Sequence, residues 1–537
     1  TRETDGGRND MADTIAPAAL KQLLEGSSPF ALIDVREAGE HNSSHIPGAS
    51  LISRRHLESV LLAAVPYPGV HVILFADDGR RARLAVATAE RLGYRHVSML
   101  DGGINRWMIE GFPTEWGSNV PSKDFGEKVE VVHHVPEIEA TELAERIRKG
   151  EKLVILDSRT PEEFRRFCIP GGRSVPGGEL ALRITDIAKS AAPGTTIIVN
   201  CAGRTRSIIG TRVLQRMGVP NVLGLKNGTS GWVLAGQQLE TGADRVELPP
   251  PSPEGVAAAE AYAAKLAAED GVSHLDLPAL KAMIARGRTE TVYLVDVRTR
   301  EEYMAGHIPG FRWVPGGQAV QRSDDVAVVK NCAFVFACDG KARATITASW
   351  YRQMGFTDVH AVNGGTAAWV AAGGTLETGA GDERPAGYEA ARAKTKVVSP
   401  AALHSEPPQA AIFIDTSQDF ARGHVAGARW VPRGWLEFWI ADIVPAKDTD
   451  VVVTCLDGLG SVLAAVTLQE LGYTRVRVLD GGMAAWRKAG LPVEMGLAGV
   501  MAPPTDVLLA GPDRNFADMQ NYLRWEEALG TKYATPR

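Results

Sequence analysis

The feature that most constrains this chain is internal repetition: one ordered set of landmarks occurs four times within 537 residues. Each copy opens on an apolar run closed by an acid, as in Ala31-Leu32-Ile33-Asp34, Val154-Ile155-Leu156-Asp157, Tyr293-Leu294-Val295-Asp296 and Ile412-Phe413-Ile414-Asp415. Three copies place an arginine two residues on (Arg36, Arg159, Arg298), where the fourth has Ser417. A turn comes next: His45-Ile46-Pro47-Gly48, Cys168-Ile169-Pro170-Gly171, His307-Ile308-Pro309-Gly310 and His424-Val425-Ala426-Gly427. A second strand then enters a loop and a helical pattern ending at Gly93, Gly218, Gly355 or Gly472. Each copy closes on a glycine-containing turn and a helix bearing Trp107, Trp232, Trp369 or Trp486, at intervals of 125, 137 and 117 residues. Such intervals are domains rather than solenoid repeats. Short apolar strands alternating with helical patterns specify a mainly parallel sheet flanked by helices. The expected fold is α/β: four tandem domains over residues 12–120, 135–245, 272–380 and 398–496, then a tail over 497–537.

Joins fall near Glu115–Val135, Gly242–Val272 and Thr378–Pro400, and the alanine-rich stretch from Val256 to Ala268 reads as a linking helix. In the tail, the segment from Asn521 to Trp525 reads as a helix that docks on a domain. A net charge of -6 with no basic stripe gives no reason to expect nucleic acid or a membrane surface as partner. No apolar run reaches the roughly 18 residues of a spanning helix. The first residues lack the basic-then-apolar form of a secretory leader, and Met11 reads as a native start behind an added segment. Five widely spaced cysteines form neither a disulfide framework nor a paired zinc motif, so reduced thiols in a cytoplasmic protein are expected, with no metal and no cofactor.

The chemistry concentrates in the loop Cys201-Ala202-Gly203-Arg204-Thr205-Arg206. A thiol at a strand-to-helix turn sits where backbone N–H groups converge and the helix dipole favours an anion. With Arg204 and Arg206 beside it, the Cys201 pKa is expected to fall, and the thiolate is the nucleophile. The glycine that ends each helix supplies a ruler, since Gly218, Gly355 and Gly472 stand 17 residues past Cys201, Cys338 and Cys455. The same count back from Gly93 gives Ala76, or Asp77 with a one-residue slip, so the first domain has no thiol and is expected to be structural. The third loop keeps cations at Lys341 and Arg343, but Asp339 adjoins the sulfur and disfavours the thiolate. The fourth, from Cys455 to Gly460, has no cation. The catalytic candidates rank Cys201, then Cys338, then Cys455, with Arg204, Arg206, Lys341 and Arg343 as substrate-binding candidates. Cys168 and Cys332 read as small buried hydrophobes.

Asp-x-Arg, His-Ile-Pro-Gly, a Cys-headed six-residue loop and Asp-Gly-Gly followed by Trp, in that order, resemble the rhodanese (thiosulfate sulfurtransferase) domain. The resemblance covers all but the tail. It implies that the Asp–Arg pairs are structural, and that a sulfane sulfur passes through a cysteine persulfide from a small anionic donor to cyanide or a thiol, including a protein thiol. Thiosulfate and 3-mercaptopyruvate are both open as donors. Family members often work as an inactive domain followed by an active one, which implies pairing of the first domain with the second and of the third with the fourth. Two other readings stay open: a non-catalytic scaffold or sulfur carrier, and a Cys-dependent phosphatase or arsenate reductase. Such phosphatases use a seven-residue Cys-to-Arg loop, against six here.

Overall fold

The computed structural model describes residues 13–407, 411–418, 420–500 and 505–534, and Met11 lies outside them. Four five-stranded sheets form, all with one strand order. In the second domain that order is Glu137–Ile138, Val222–Leu225, Thr196–Asn200, Leu153–Asp157 and Arg173–Ser174, every neighbouring pair parallel. Strands covered by helices on both faces need apolar residues at successive positions, not alternate ones. Phe30–Asp34 and Ala333–Ala337 are accordingly buried along their whole length. No helix among the described residues is long and apolar enough to cross a membrane.

Two of the joins hold long helices, one expected from the sequence pattern and one not. The alanine-rich stretch is the helix Pro253–Asp270, capped by Ser252, as expected. The first join, however, contains a second long helix, Val120–His133. Gly126 in its middle is a packing device: a Cβ there would meet Thr205 Cγ2 at 3.0 Å. The tail helix is present as Phe516–Leu529.

The expected pairing of neighbouring domains does not occur. The chain forms two compact units, one of residues up to Ser118 with Asp382–Leu508, the other of Asn119–Gly381 with Leu509–Arg537. The second domain therefore pairs with the third, and the first with the fourth. Small residues and buried charge explain the second–third contact. A Cβ on Gly178 would lie 3.1 Å from Gly317 N and 3.2 Å from Gly316 Cα, so only glycine lets these backbones meet. Arg343 Nη1 of the third domain donates to Glu179 Oε1 of the second at 2.7 Å. One apolar cluster runs from Leu156 and Val199 through Tyr262 and Leu266 of the joining helix to Ile346 and Trp350. In the other unit, Arg433 Nη1 donates to Glu58 Oε2 at 2.8 Å and Arg54 Nη1 to Glu437 Oε2 at 2.7 Å, which ties the first domain to the fourth.

The repeated landmarks have structural work. Arg159 donates to Asp157 through Nε (2.9 Å) and Nη2 (2.7 Å), and Nη2 also reaches the Phe167 carbonyl at 2.6 Å. Arg36 with Asp34 and Arg298 with Asp296 repeat this geometry. Burial alone would raise Asp34, but hydrogen bonds from His41 and Arg36 more than reverse it and hold the carboxyl well below the usual range. In the fourth domain Ser417 replaces the arginine, and burial now pushes Asp415 up. Each tryptophan indole donates to the carbonyl six residues on, Trp107 to Pro113, Trp232 to Gln238, Trp369 to Thr375 and Trp486 to Pro492, all at 2.8 Å. Removing one partner of a buried ion pair leaves an uncompensated charge, so Arg159→Met should cost about 3–5 kcal/mol. Urea unfolding of the variant against the unaltered protein checks this.

Candidate active site

The loops sit at the carboxyl ends of the parallel strands, where open α/β sheets bind their ligands. Strand Thr196–Asn200 ends immediately before Cys201, and helix Thr205–Arg216 begins four residues later. The turn at Asn227 and Gly228 brings the next helix against this loop, so that the Thr229 N–H donates to the Cys201 carbonyl at 2.9 Å and the Ser230 N–H to the Ala202 carbonyl at 3.1 Å. Gly228 has φ +52, and a Cβ on it would run into the Cys201 carbonyl. The same bond recurs from Ile104 to Ala76 (2.9 Å), Thr366 to Cys338 (2.9 Å) and Met483 to Cys455 (2.8 Å). It therefore sets the register: Ala76 occupies the thiol position in the first domain, and Asp77 follows it.

Cys201 is 2% exposed, and its Sγ lies 3.4 Å from Ser207 Oγ, which in turn donates to the Arg204 carbonyl at 2.7 Å. The expected fall in its pKa is reversed. Burial raises the thiol, and this outweighs the charge of Arg206 and the hydrogen bonds of Ser207. Desolvation penalises the charged form and outweighs the local charge and helix dipole on which the sequence argument relied. Cys338 is fully buried and is pushed up to about 11 by that burial, with Asp339 adding to the effect against Arg343. Burial likewise raises Cys455, with the Ser461 N–H 3.3 Å from its sulfur and Asp457 Oδ1 at 3.5 Å.

The candidate cations are engaged. Arg206 forms a fork to Glu163, at 2.7 and 2.8 Å. Arg343 forks to Glu302 at 2.7 Å through both nitrogens, and Arg81 forks to Glu40 at 2.7 and 2.6 Å. Glu40, Glu163 and Glu302 each occupy the third position of a short helix and close its capping box. Because Arg81 makes this pair in a loop without a thiol, the fork belongs to the architecture of the loop. Arg204 turns away to Glu127 on Val120–His133, through Nε at 2.6 Å and Nη2 at 2.9 Å. Lys341 stands exposed on the third loop.

The remaining thiols are plain. Cys168 is buried near Arg245, and its pKa is pushed up to about 11, chiefly by burial. The Cys332 thiol donates to the Val329 carbonyl at 3.1 Å and is likewise pushed up to about 12. Two neighbours of the Cys201 loop escaped the sequence reading. Ser207 had a weak signal, since Ser461 stands at the same position after Cys455 while the third loop has Ala344. Glu526, from the tail, had none, because its approach to Thr205 spans 321 residues.

The rhodanese-like domain family matches residues 16–110, 139–235, 276–372 and 401–489. The chain belongs to the rhodanese-like family. As a rhodanese-like chain of four domains it is similar along nearly its whole length to a solved thiosulfate sulfurtransferase from Pseudomonas aeruginosa, 36% identical, covering 97% of this chain and 98% of that one, with a TM-score of 0.86. The thiosulfate sulfurtransferase GlpE of Stutzerimonas stutzeri is 33% identical over 96 residues, 17% of this chain and 84% of its own length. The probable adenylyltransferase/sulfurtransferase MoeZ of Mycobacterium tuberculosis is 33% identical over 104 residues, 19% of this chain and 26% of that protein. The chain thus spans about a quarter of that curated relative.

The glutamate forks have a pH signature. Burial opposes ionisation of Glu163, yet Arg206 and the Thr160 N–H bring it from 4.5 to about 2. Glu302 likewise falls from 4.5 to about 2 against its own burial, through Arg343. Folded-state values below the unfolded ones mean that the forks stabilise fully above pH 4.5 and lose that contribution as pH falls toward about 2. Acid titration of stability should show Glu163→Gln less stable than the unaltered protein above pH 4.5, with the difference closing over that window.

Proposed function

We propose that the protein is a sulfurtransferase that passes a sulfane sulfur through a persulfide on Cys201, from thiosulfate or a similar small anionic donor to cyanide or a thiol, including a protein thiol. The observation that carries the reading is a thiol at the head of a six-residue loop, pinned at the strand ends of a rhodanese-like domain. In the first half-reaction the Cys201 thiolate attacks the outer sulfur of thiosulfate. The S–S bond breaks, and its electron pair leaves with sulfite. Backbone N–H groups of the loop take the charge of the persulfide, as an oxyanion hole would. In the second half-reaction cyanide attacks the outer sulfur, thiocyanate leaves, and the electron pair returns to Cys201.

The resting thiol is protonated, so donor entry is coupled to loss of its proton, with Arg206 and Ser207 favouring the thiolate. Arg204, buried against Glu127, becomes a donor-binding cation once released from it. Cys338 is the second candidate, with Lys341 and Arg343, and Cys455 the third, with the charge of Arg433 reaching it from outside the loop. The chemistry needs neither metal nor nucleotide. All five thiols are free, which supports work in the reducing cytoplasm.

Thiosulfate treatment followed by peptide mass spectrometry should show a gain of one sulfur on the Cys201 peptide. Cys201→Ser should lower thiosulfate:cyanide activity by about 100-fold or more, as loss of a covalent nucleophile does. A gain on the Cys338 peptide alone would reverse the ranking, and no gain on any cysteine would favour a scaffold.

A further inference from the structure

Beyond the four domains, the tail returns to the second of them. Its helix Phe516–Leu529 lies against Val120–His133 and reaches the crown of the Cys201 loop. Glu526 Oε1 accepts from Thr205 Oγ1 at 3.1 Å. Oε2 fills the space that a side chain on Gly203 would need: a Cβ there would meet it at 3.3 Å, with Leu523 Cδ2 at 3.9 Å and Tyr522 Cε1 at 4.0 Å. Glu526 is only 2% exposed, and its carboxylate is buried beside the Tyr522 hydroxyl. A buried carboxylate thus stands over a loop whose N–H groups suit an anion.

Lys123, Arg514 and Arg204 all feel the charge of Glu526, but each also faces other groups. Arg204 holds Glu127, and its Nη1 also faces Glu137 at 3.5 Å and Glu527 at 3.7 Å. Lys123 and Arg514 lie over the Tyr522 ring, at 4.9 and 4.0 Å from its centroid. After burial, Arg206 and the hydrogen bonds of Ser207 lower the Cys201 thiol, and the charge of Glu526 raises it. The third loop lacks this device. There a Cβ on Gly340 would meet Glu260 Oε1 at 3.3 Å, and that glutamate is exposed, as is Lys341.

We propose that Glu526 is the donor-selecting residue of the Cys201 site: the tail supplies a buried negative charge that discriminates against a second negative charge on the sulfur donor. Thiosulfate, a dianion, is then a poorer donor at Cys201 than one presenting its sulfane sulfur with a single charge or none. The proposal rests on Cys201 as the nucleophile, and its test has a readout that does not need sulfur transfer. Iodoacetamide and iodoacetate both alkylate a thiolate by displacing iodide, but only the second carries a negative charge.

In the full-length protein, the iodoacetamide-to-iodoacetate rate ratio at Cys201, followed by peptide mass spectrometry, should exceed that of free cysteine by about tenfold, as one partly screened charge beside the loop implies. Glu526→Gln should bring that ratio close to that of free cysteine, leave the ratio at Cys338 unchanged, and raise kcat/KM for thiosulfate. A native ratio equal to that of free cysteine overturns the proposal, and so does a ratio that Glu526→Gln does not move. A Cys201 closed to both reagents overturns it as well, since selection by charge presupposes entry. If Glu526→Gln fails to fold, the native ratio still decides. If no cysteine takes up sulfur, the sulfurtransferase reading fails while the ratio still reports on Glu526.

Discussion

The loops of this chain depend on one hydrogen bond, from the N–H of the helix after the glycine turn to the carbonyl of the first loop residue. The bond requires two backbones to approach until no side chain fits between them, which is why a glycine at positive φ stands at Gly103, Gly228, Gly365 and Gly482. Its partners are main-chain atoms, so the loop is held whether its first residue is cysteine or alanine. Ala76 shows the result: the geometry persists after the chemistry has gone. The glutamate–arginine forks add a second tie, from the far end of the loop to the cap of a neighbouring helix, and they too survive in the first domain.

Much of this was legible because the repeat exposes it. The four landmarks and the parallel sheets follow from comparing the copies, which also narrow the first loop to Ala76 or Asp77, and the family resemblance supplies the structural role of the Asp–Arg pairs; each rests on contacts between residues close in sequence or one strand apart. The failures share a different origin. Pairing of the second domain with the third depends on Gly178 meeting Gly316 and Gly317 and on Glu179 meeting Arg343, contacts that no local pattern encodes. Gly126 carried no reading at all, since a glycine that permits close packing looks the same in sequence as one that ends a helix.

The thiol shows where charge counting falls short. Two arginines within five residues of Cys201 suggest a stabilised thiolate, but both guanidiniums already face carboxylates, and the sulfur itself is buried. In a site this dry the cost of desolvating the anion exceeds the attraction of a cation whose charge a partner has largely balanced. Sequence supplied the residue types correctly. What it could not supply was Glu127 and Glu163 on the other side of each pair.

The nested pairing of domains bears on the order in which the chain can be completed during synthesis. The second and third domains adjoin in sequence, so they can meet while the ribosome is still at work, and domains emerging early tend to fold as units. The first domain must wait with Arg54 and Glu58 unmatched until Arg433 and Glu437 have been made. The helix bearing Glu526 emerges after all four domains. The Cys201 loop is therefore built and supported by its own domain well before Glu526 exists, and translation itself gives the loop an interval without the charge that the finished protein places over it.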